Sequence, residues 1–309
     1  MPIFSIGHLS DLHATPVRFE GVPQLLNKRF FGWVSWYLRR RYVFRPDVLD
    51  ALIEDLQDAA PDQVVVTGDL TNVAMESEFD AALVWLQRIG SPERVFVIPG
   101  NHDAYVPVPR ARSWDRWSEY LASDPPRSVA GAVDGDTEFP TLRRRGPVAL
   151  VGVCSAHPTG IFRATGSVGP GQLERLEALL MELADVDVCR VVLIHHPVTD
   201  GAASSRRSLS DAAAVRAVLR RAGADLVLHG HNHRTQLFQV PGPEGPIPVV
   251  GVRSSSYMGR KPTKRAHYHI YDFEPGASDR PGARFRVIMR IRAYDPGSGR
   301  FRPEGERTL

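Results

Sequence analysis

Five times along this chain, a short apolar run ends in a cluster of aspartate, histidine or asparagine. Each run has the length and composition of a buried β-strand. The polar residues that follow the runs are Asp11 with His13, Asp69, Asn101 to Asp103, His195 with His196, and His231 to His233. Parallel strands of an open α/β sheet bring their carboxyl ends to one edge, where such folds hold their sites. The pattern therefore predicts an α/β fold with a metal site assembled from five loops.

The segments between these runs alternate between helical and strand patterns. Apolar residues at helical spacing predict helices at 46–59, 76–89, 171–183 and 211–222. Further strands are predicted at 147–153, 247–252, 267–273 and 284–291. We expect one domain over residues 1–292. Because Pro, Gly and Arg are frequent in the last residues, we expect a flexible tail over 293–309.

The five motifs together resemble the calcineurin-like metallophosphoesterase superfamily. They read Asp-x-His, Gly-Asp, Gly-Asn-His-Asp, His-His-Pro and Gly-His-x-His, in this order and each after a predicted strand. The resemblance implies the four-layer α/β/β/α sandwich of that superfamily and a pair of bound metal ions. The motifs are similar to those of bacterial cyclic-nucleotide phosphodiesterases, and the superfamily also includes UDP-2,3-diacylglucosamine hydrolases.

The resemblance also implies a set of metal ligands. Asp69 would bridge the two ions. The other expected ligands are Asp11, His13 and His233 for one ion, and Asn101, His195 and His231 for the other. A mixture of imidazole and oxygen ligands suits Mn, Fe, Zn or Co better than Mg alone, and we favour Mn. A hydroxide bridging the ions is the expected nucleophile, because metal-bound water loses its proton near neutral pH.

Two further motif residues have implied catalytic roles. His102 would protonate or stabilise the leaving oxygen, and Asp103 would hold and orient its imidazole. Four other residues are candidates for contacts with the substrate. They are His196, Arg206, Arg207 and Arg253.

A segment rich in aromatic and basic residues lies between the first two motifs, at about 22–45. It carries six basic residues and no acidic one, and two of the five tryptophans. Leu26, Phe30, Trp33, Val34 and Tyr37 fall on one helical stripe. The apolar run is too short to span a bilayer, but basic residues beside aromatic ones suit a membrane interface. A helix packed on the core, with solvated arginines at its end, explains the pattern equally well.

Charge and the N-terminal sequence bear on partners and location. The net charge of +3 and the pI of about 9.0 suit an anionic substrate but are too weak to predict nucleic-acid binding. The chain starts directly with a predicted strand rather than an apolar leader. We therefore expect a cytoplasmic protein, in contact with the inner face of the membrane if residues 28–45 bind lipid.

Three functions remain open from the sequence. The favoured one is hydrolysis of a small phosphodiester, such as a cyclic nucleotide. The second is cleavage of the pyrophosphate of UDP-2,3-diacylglucosamine at the membrane, which the segment at 22–45 favours. The third is a metal-binding scaffold without catalysis, and the complete ligand set speaks against it.

Overall fold

Two six-stranded sheets form the framework of this protein. The computed structural model describes residues 4–19, 21, 27–125, 139–276 and 284–309. The first sheet has the strand order β12-β11-β10-β1-β2-β3, and the second has the order β4-β5-β6-β7-β9-β8. The strands are β1 Phe4–Leu9, β2 Gln63–Val66, β3 Val95–Val97, β4 Thr141–Arg145, β5 Val148–Val153, β6 Cys189–Ile194, β7 Leu226–His229, β8 Gln236–Pro241, β9 Pro246–Gly251, β10 His267–Pro275, β11 Phe285–Asp295 and β12 Arg300–Thr308.

The four longest helices cover the outer faces of the sheets. The described residues form seven α-helices. They are α1 Arg29–Ser35, α2 Arg41–Val43, α3 Pro46–Ala59, α4 Glu76–Ile89, α5 Ser118–Leu121, α6 Pro170–Ala184 and α7 Ala212–Ala222. Pro46 and Pro170 stand in the first turns of α3 and α6, where the missing N–H of proline costs no helical hydrogen bond. The four long helices lie within one residue of the positions predicted from apolar spacing.

Alternation along the strands of the second sheet separates the layers. Leu150 in β5 and Leu193 in β6 point toward the first sheet and join the core cluster that includes Ile6 and Val64. Their neighbours Val151 and Val192 point the other way, into a cluster that contains the apolar faces of α6 and α7. Since successive side chains of a strand point to opposite faces, the central strands of each sheet are buried on both faces. The result is the expected α/β/β/α sandwich.

The C-terminal residues differ from the sequence-based expectation. The expected flexible tail at 293–309 is wrong, because β11 runs to Asp295 and Arg300–Thr308 pairs with it as the antiparallel edge strand β12. Phe301 is the buried anchor of this strand and is 4% exposed. Its ring centroid lies 5.7 Å from that of Tyr268 and 5.5 Å from that of Tyr294. Only one apolar side chain in this strand faces the core, so it carries little periodic signal.

The aromatic-basic segment forms a broken helix beside the carboxyl ends of β1 and β2. Helix α1 continues into a π-helical stretch at Trp36–Arg40 and then into α2. Trp33 and Trp36 pack on Val73 and Met75. Residues 22–26, which include the first residue of the predicted stripe, lie outside the described part. None of the helices among the described residues has the length and apolar character needed to cross a bilayer.

We predict that Phe301→Ala lowers the free energy of unfolding by about 3 kcal/mol, because it removes a buried aromatic ring and leaves a cavity. Urea denaturation followed by circular dichroism measures the change. Phe238→Ala, which alters a partly exposed ring in the edge strand β8, is the control and should change stability by less than about 1 kcal/mol. Equal stability of the Phe301 variant and the parent would mean that β12 contributes nothing to the fold.

Candidate metal centre

The carboxyl ends of five parallel strands meet at one edge of the two sheets. In the first sheet, β1 is followed by Asp11 and His13, β2 by Asp69, and β3 by Asn101. In the second sheet, β6 is followed by His195, and β7 by two further histidines, His231 and His233. The structure thus brings together all seven residues expected to bind metal. Six of them are buried, and the side chain of His233 is 20% exposed.

Backbone strain is concentrated at this edge. Five of the seven residues adopt left-handed backbone conformations, with φ between 46° and 67°. They are Asp11, His13, Asp69, His231 and His233. For residues other than glycine this conformation costs roughly 1–2 kcal/mol each, and it persists only where the surrounding structure enforces it. The strain turns each side chain out of its strand direction and toward the common centre.

The Asp103 carboxylate holds the backbone of two of these loops in place through hydrogen bonds. Its Oδ2 accepts the backbone N–H groups of Asp69 at 2.8 Å and Gly100 at 2.9 Å. Its Oδ1 accepts the N–H groups of Leu70 and Thr71 and the Thr71 hydroxyl, all within 3.0 Å. A side chain at Gly100 would overlap the Asp69 carboxylate, so the two loops approach this closely only because residue 100 is glycine.

This arrangement corrects the role expected for Asp103. Both of its oxygens are occupied by loop N–H groups and the Thr71 hydroxyl, and the imidazole of His102 is held elsewhere. The His102 Nδ1 donates to the backbone carbonyl of Asn72 at 2.5 Å. Asp103 therefore holds the backbone of the loops after β2 and β3. The family resemblance implied direct contact between the two residues, but neighbours in a tight loop leave it in different directions.

Three backbone carbonyls determine which ring nitrogen of three histidines faces the centre. His13 Nδ1 donates to Thr71 O at 2.8 Å, and His195 Nδ1 donates to Thr67 O at 2.6 Å. His231 Nε2 donates to Arg207 O at 2.8 Å. A carbonyl only accepts, so the bonded nitrogen must carry the hydrogen, and in the neutral ring the other nitrogen presents a lone pair.

These lone pairs face oxygen atoms that also have lone pairs. Asp69 Oδ2 lies 3.7 Å from His13 Nε2 and 3.4 Å from His195 Nε2. Asn101 Oδ1 lies 3.2 Å from His195 Nε2 and 2.8 Å from His231 Nδ1. On the far side of the centre, His233 Nε2 lies 3.0 Å from Asp11 Oδ1. A cation between these atoms, either a metal ion or a proton, removes the repulsion between converging acceptors of this kind.

The ionisation of the buried groups reflects the same convergence. Burial alone would raise the pKa of Asp69. The neighbouring His195, His102 and His13 outweigh this effect and lower the pKa to well below its ordinary value. Burial lowers the pKa of His195, yet Asp69 outweighs it and raises the value to about 9. A metal ion placed among these atoms would neutralise Asp69 in the same way and would displace that proton.

The donor set fits two divalent ions. Ligand atoms within 4.8 Å of one another include the sets Asp11–His13–His233 and Asp11–Asp69–His195. His13 Nε2 is buried and makes no hydrogen bond, as expected for an atom reserved for a metal. Asp69 is positioned between the histidines of the two halves, where a bridging carboxylate would lie. Three carboxylate and amide side chains with four imidazoles suit Mn, Fe, Zn or Co.

His102 meets an arginine that the sequence did not single out. Arg40, at the end of the π-helical stretch, places its Nη1 3.0 Å from His102 Nε2. Because His102 Nδ1 carries its hydrogen toward Asn72, Nε2 is the acceptor of this bond. Burial and the Arg40 charge lower the pKa of His102 to about 3. Nothing in the run Arg39-Arg40-Arg41 distinguishes the middle residue by sequence; the π-helical geometry decides which one turns inward.

Two connected spaces open beside His102. The first, the cationic cavity, has a volume of about 310 Å³ and is lined by Arg39, Arg40, Arg207 and Lys264 together with Asp69, Asn101, His102, His231 and His233. The second, the aromatic cleft, has a volume of about 320 Å³ and is lined by Phe31, Tyr105, Ile161 and Phe162 together with Arg40, Asn101, His102 and Arg207. Arg40 and Arg207 thus lie where the two spaces meet.

The four candidate substrate residues fall in different places. Arg207 lines both spaces and donates from Nη2 to His231 O at 2.7 Å. His196 is buried beside His195 and His231, with Nδ1 2.8 Å from the Ser155 hydroxyl and Nε2 without a hydrogen-bond partner. Arg206 is exposed and lines neither space. Arg253 is turned away toward the edge strand β12, with Nη2 3.9 Å from Glu304 Oε2, which removes it from the expected substrate site.

A family model described as calcineurin-like phosphoesterase matches residues 4–235 of this chain. The match covers the strands and loops that carry all seven converging side chains. No curated protein matches the chain.

Solved structures with the same fold include two phosphatases and a 5'-nucleotidase precursor by their descriptions. A dimetal phosphatase from Danio rerio is 14% identical, with a TM-score of 0.64, covering 98% of this chain and 99% of that one. Purple acid phosphatase PPD1 from yellow lupin (Lupinus luteus) is 12% identical, with a TM-score of 0.59, covering 99% of this chain and 53% of that one. A 5'-nucleotidase precursor from Thermus thermophilus is 14% identical, with a TM-score of 0.51, covering 92% and 54%. At these identities the likeness shows the fold alone.

We predict that Asp103→Asn lowers the free energy of unfolding by about 2–4 kcal/mol, because an amide N–H₂ group then faces backbone N–H donors. Chemical denaturation of the metal-free protein measures the loss. Asp115→Asn, which alters a half-exposed pair with Arg110, is the control and should cost less than about 1 kcal/mol. Similar losses in both variants would contradict the role assigned to Asp103.

We also predict that Asp69→Asn abolishes retention of the second metal ion, because the charge that faces both halves of the centre is lost. His102→Asn should retain both ions, since His102 Nδ1 and Nε2 are bonded to Asn72 and Arg40. Elemental analysis after dialysis gives the metal content of each folded variant. Loss of metal from the His102 variant would make that residue a ligand.

Proposed function

This chain belongs to the calcineurin-like phosphoesterase family, and we propose that it hydrolyses a phosphodiester bond of a small anionic substrate at a centre of two divalent metal ions. The converging ligand atoms support the metal-dependent part of this proposal. Hydrolysis of a diester, rather than a monoester, is supported by the shape of the space around His102.

We choose a diester because two separate spaces open beside the same residues. Asn101 and His102 line both the cationic cavity and the aromatic cleft. A phosphorus atom placed beside these residues would have room for a substituent on each side. A monoester has only one substituent and would leave the second space unused.

Bound metal ions would supply Lewis acidity and an activated water, with Asp11, His13, Asp69, Asn101, His195, His231 and His233 as their ligands. The oxygen of water adds to phosphorus, the bond to the leaving oxygen breaks, and that oxygen takes up a proton. Arg40 and Arg207 would neutralise the phosphoryl oxygens, because their guanidinium groups border both spaces.

We assign the contact with the leaving oxygen to His102. Its Nε2 can donate a hydrogen bond only after Arg40 has left it and the ring has taken up a proton, since Arg40 now occupies the Nε2 lone pair and the one hydrogen of the neutral ring is on Nδ1. An anionic phosphoryl group would attract Arg40 and free this nitrogen. The four imidazole ligands favour Mn, Fe, Zn or Co, and we propose Mn as the working metal.

A second candidate is cleavage of a pyrophosphate linked to a lipid, as in UDP-2,3-diacylglucosamine. The observation that favours it is the charge of the cationic cavity, where Arg39, Arg40, Arg207 and Lys264 gather. Four cations can balance more than one phosphate group. In either case we propose a cytoplasmic enzyme, and in the second case one that touches the membrane through residues 28–45.

We predict that the Mn-loaded protein hydrolyses cyclic AMP or a simple aryl phosphodiester faster than the matching monoester, and that chelation abolishes this activity. UDP-2,3-diacylglucosamine in detergent is assayed beside them. Release of UMP from the lipid without cleavage of cyclic AMP would favour the second candidate. A protein that retains two metal ions but cleaves none of these substrates would instead be a metal-binding scaffold.

A further inference from the structure

We infer that the aromatic cleft is a binding subsite for an alkyl or acyl group carried by the substrate, so that the enzyme acts on an amphiphilic phosphoester. This inference rests on the proposed phosphodiester hydrolysis and names the chemistry of one of the two substituents. It concerns residues outside the five motifs.

One end of the cleft, the inner end, is charged, and aromatic and aliphatic side chains line the other, outer end beside Lys28 and Arg163. Arg40 and Arg207 lie at the inner end, beside Asn101 and His102. Phe31 from α1 and Phe162 from the loop at 159–164 lie at the outer end, with ring centroids 5.6 Å apart. This polarity matches a molecule in which an anionic phosphate is joined to an apolar chain. A nucleobase can stack on the faces of these rings, whereas an alkyl chain also fills the apolar space beside Ile161.

The wall formed by α1 is held against the body of the protein at one glycine. A Cβ atom at Gly32 would lie 2.5 Å from Val73 Cγ1 and 2.8 Å from the Tyr105 hydroxyl oxygen. Only a residue without a side chain lets the helix approach so closely. Because Tyr105 also lines the cleft, this contact brings the wall of α1 next to the ring that forms the floor.

The opposite wall is tied to the same segment. Lys28 Nζ donates to the Thr159 hydroxyl at 2.8 Å and to the backbone carbonyl of Arg163 at 3.1 Å. The next residue, Ala164, donates its N–H to Arg206 O at 2.9 Å. The two sides of the cleft are therefore connected to each other by the polar contacts of Lys28, whose ammonium also lies 4.3 Å from the centroid of the Tyr105 ring. The rings of Phe31 and Phe162 remain available at the mouth.

The rings at the mouth are unusually exposed. Phe162 is 74% exposed and Phe31 is 46% exposed. Phe162 also has a φ of 61°, a left-handed conformation that is rare for a bulky residue. Seven of the eleven large apolar side chains that are exposed among the described residues belong to the segment 27–45 or to this loop. An exposed, strained aromatic at the mouth of a catalytic space indicates a ligand contact rather than a structural one.

The experiment compares the methyl, butyl and octyl diesters of p-nitrophenyl phosphate, each below its micelle concentration, with Mn-loaded protein. We expect kcat/KM to rise by about fourfold for each methylene group that the cleft shelters from water. Binding of methylphosphonate and octylphosphonate, whose carbon–phosphorus bonds the enzyme does not hydrolyse, gives an independent readout by calorimetry. Octylphosphonate should bind more tightly and with a more negative heat-capacity change.

Variants test the location of the subsite. Phe31→Ala and Phe162→Ala should each lower the octyl-to-methyl ratio of kcat/KM by about tenfold, which corresponds to the loss of one aromatic contact. Phe238→Ala is the matched control, because this ring is 37% exposed on β8 and lines neither space. It should leave the ratio unchanged.

The possible outcomes distinguish failure of the subsite from failure of the proposed hydrolysis. Equal cleavage of all three diesters, with equal affinity for both phosphonates, would overturn the subsite and leave the proposed hydrolysis standing. A preference for the octyl ester that survives both phenylalanine substitutions would also overturn it, since the chain would then bind elsewhere. Cleavage of none of the diesters would overturn the proposed function, and the subsite with it.

Discussion

The architecture of this protein depends on holding hydrogen-bond acceptors of several side chains close to one another, although their lone pairs repel. Seven side chains from two sheets direct oxygen and nitrogen atoms at a common centre, where without a cation they repel one another. The arrangement is stable because hydrogen bonds on the side away from the centre hold the contributing loops in place. Backbone carbonyls fix the rings of His13, His195 and His231, and the Asp103 carboxylate gathers the N–H groups of the loops after β2 and β3. The two packed sheets supply the rigid support that these fastenings need.

The strain in those loops fits the same interpretation. Left-handed backbone at five ligand positions costs several kcal/mol in sum. Part of this cost is offset by the serines after β9, where Ser254 donates to the backbone carbonyl of Asp11 at 2.6 Å and Ser255 accepts the N–H of Ser10 at 3.2 Å. A bound cation would offset a further part by removing the repulsion. Fold and centre therefore stabilise each other.

Much of the fold and of the centre could be predicted from the sequence, because both depend on local patterns. Apolar spacing located the long helices, and the family resemblance of the five motifs located the seven side chains that converge at one centre. The errors concern contacts between distant segments. Arg253 was expected at the substrate and faces Glu304, since the strand that carries Glu304 could not be recognised from its charged sequence. Arg40 was overlooked, because three adjacent arginines differ only in the direction that a π-helical turn gives them.

The segment between β1 and β2 touches both halves of the molecule. It leaves the first sheet after Asp11 and His13, and its end is joined to the loop after β9 by hydrogen bonds from Arg45 N to Ser256 O and from Met258 N to Val43 O. It supplies Arg40 and Phe31 to the space beside the metal ligands while contributing no ligand itself. In the proposed function, the residues expected to bind metal and several residues that line the substrate spaces therefore belong to different parts of the chain. Two proteins with identical ligand motifs can differ in what they cleave if this one segment differs, so comparing the motifs alone does not transfer a substrate from one to the other.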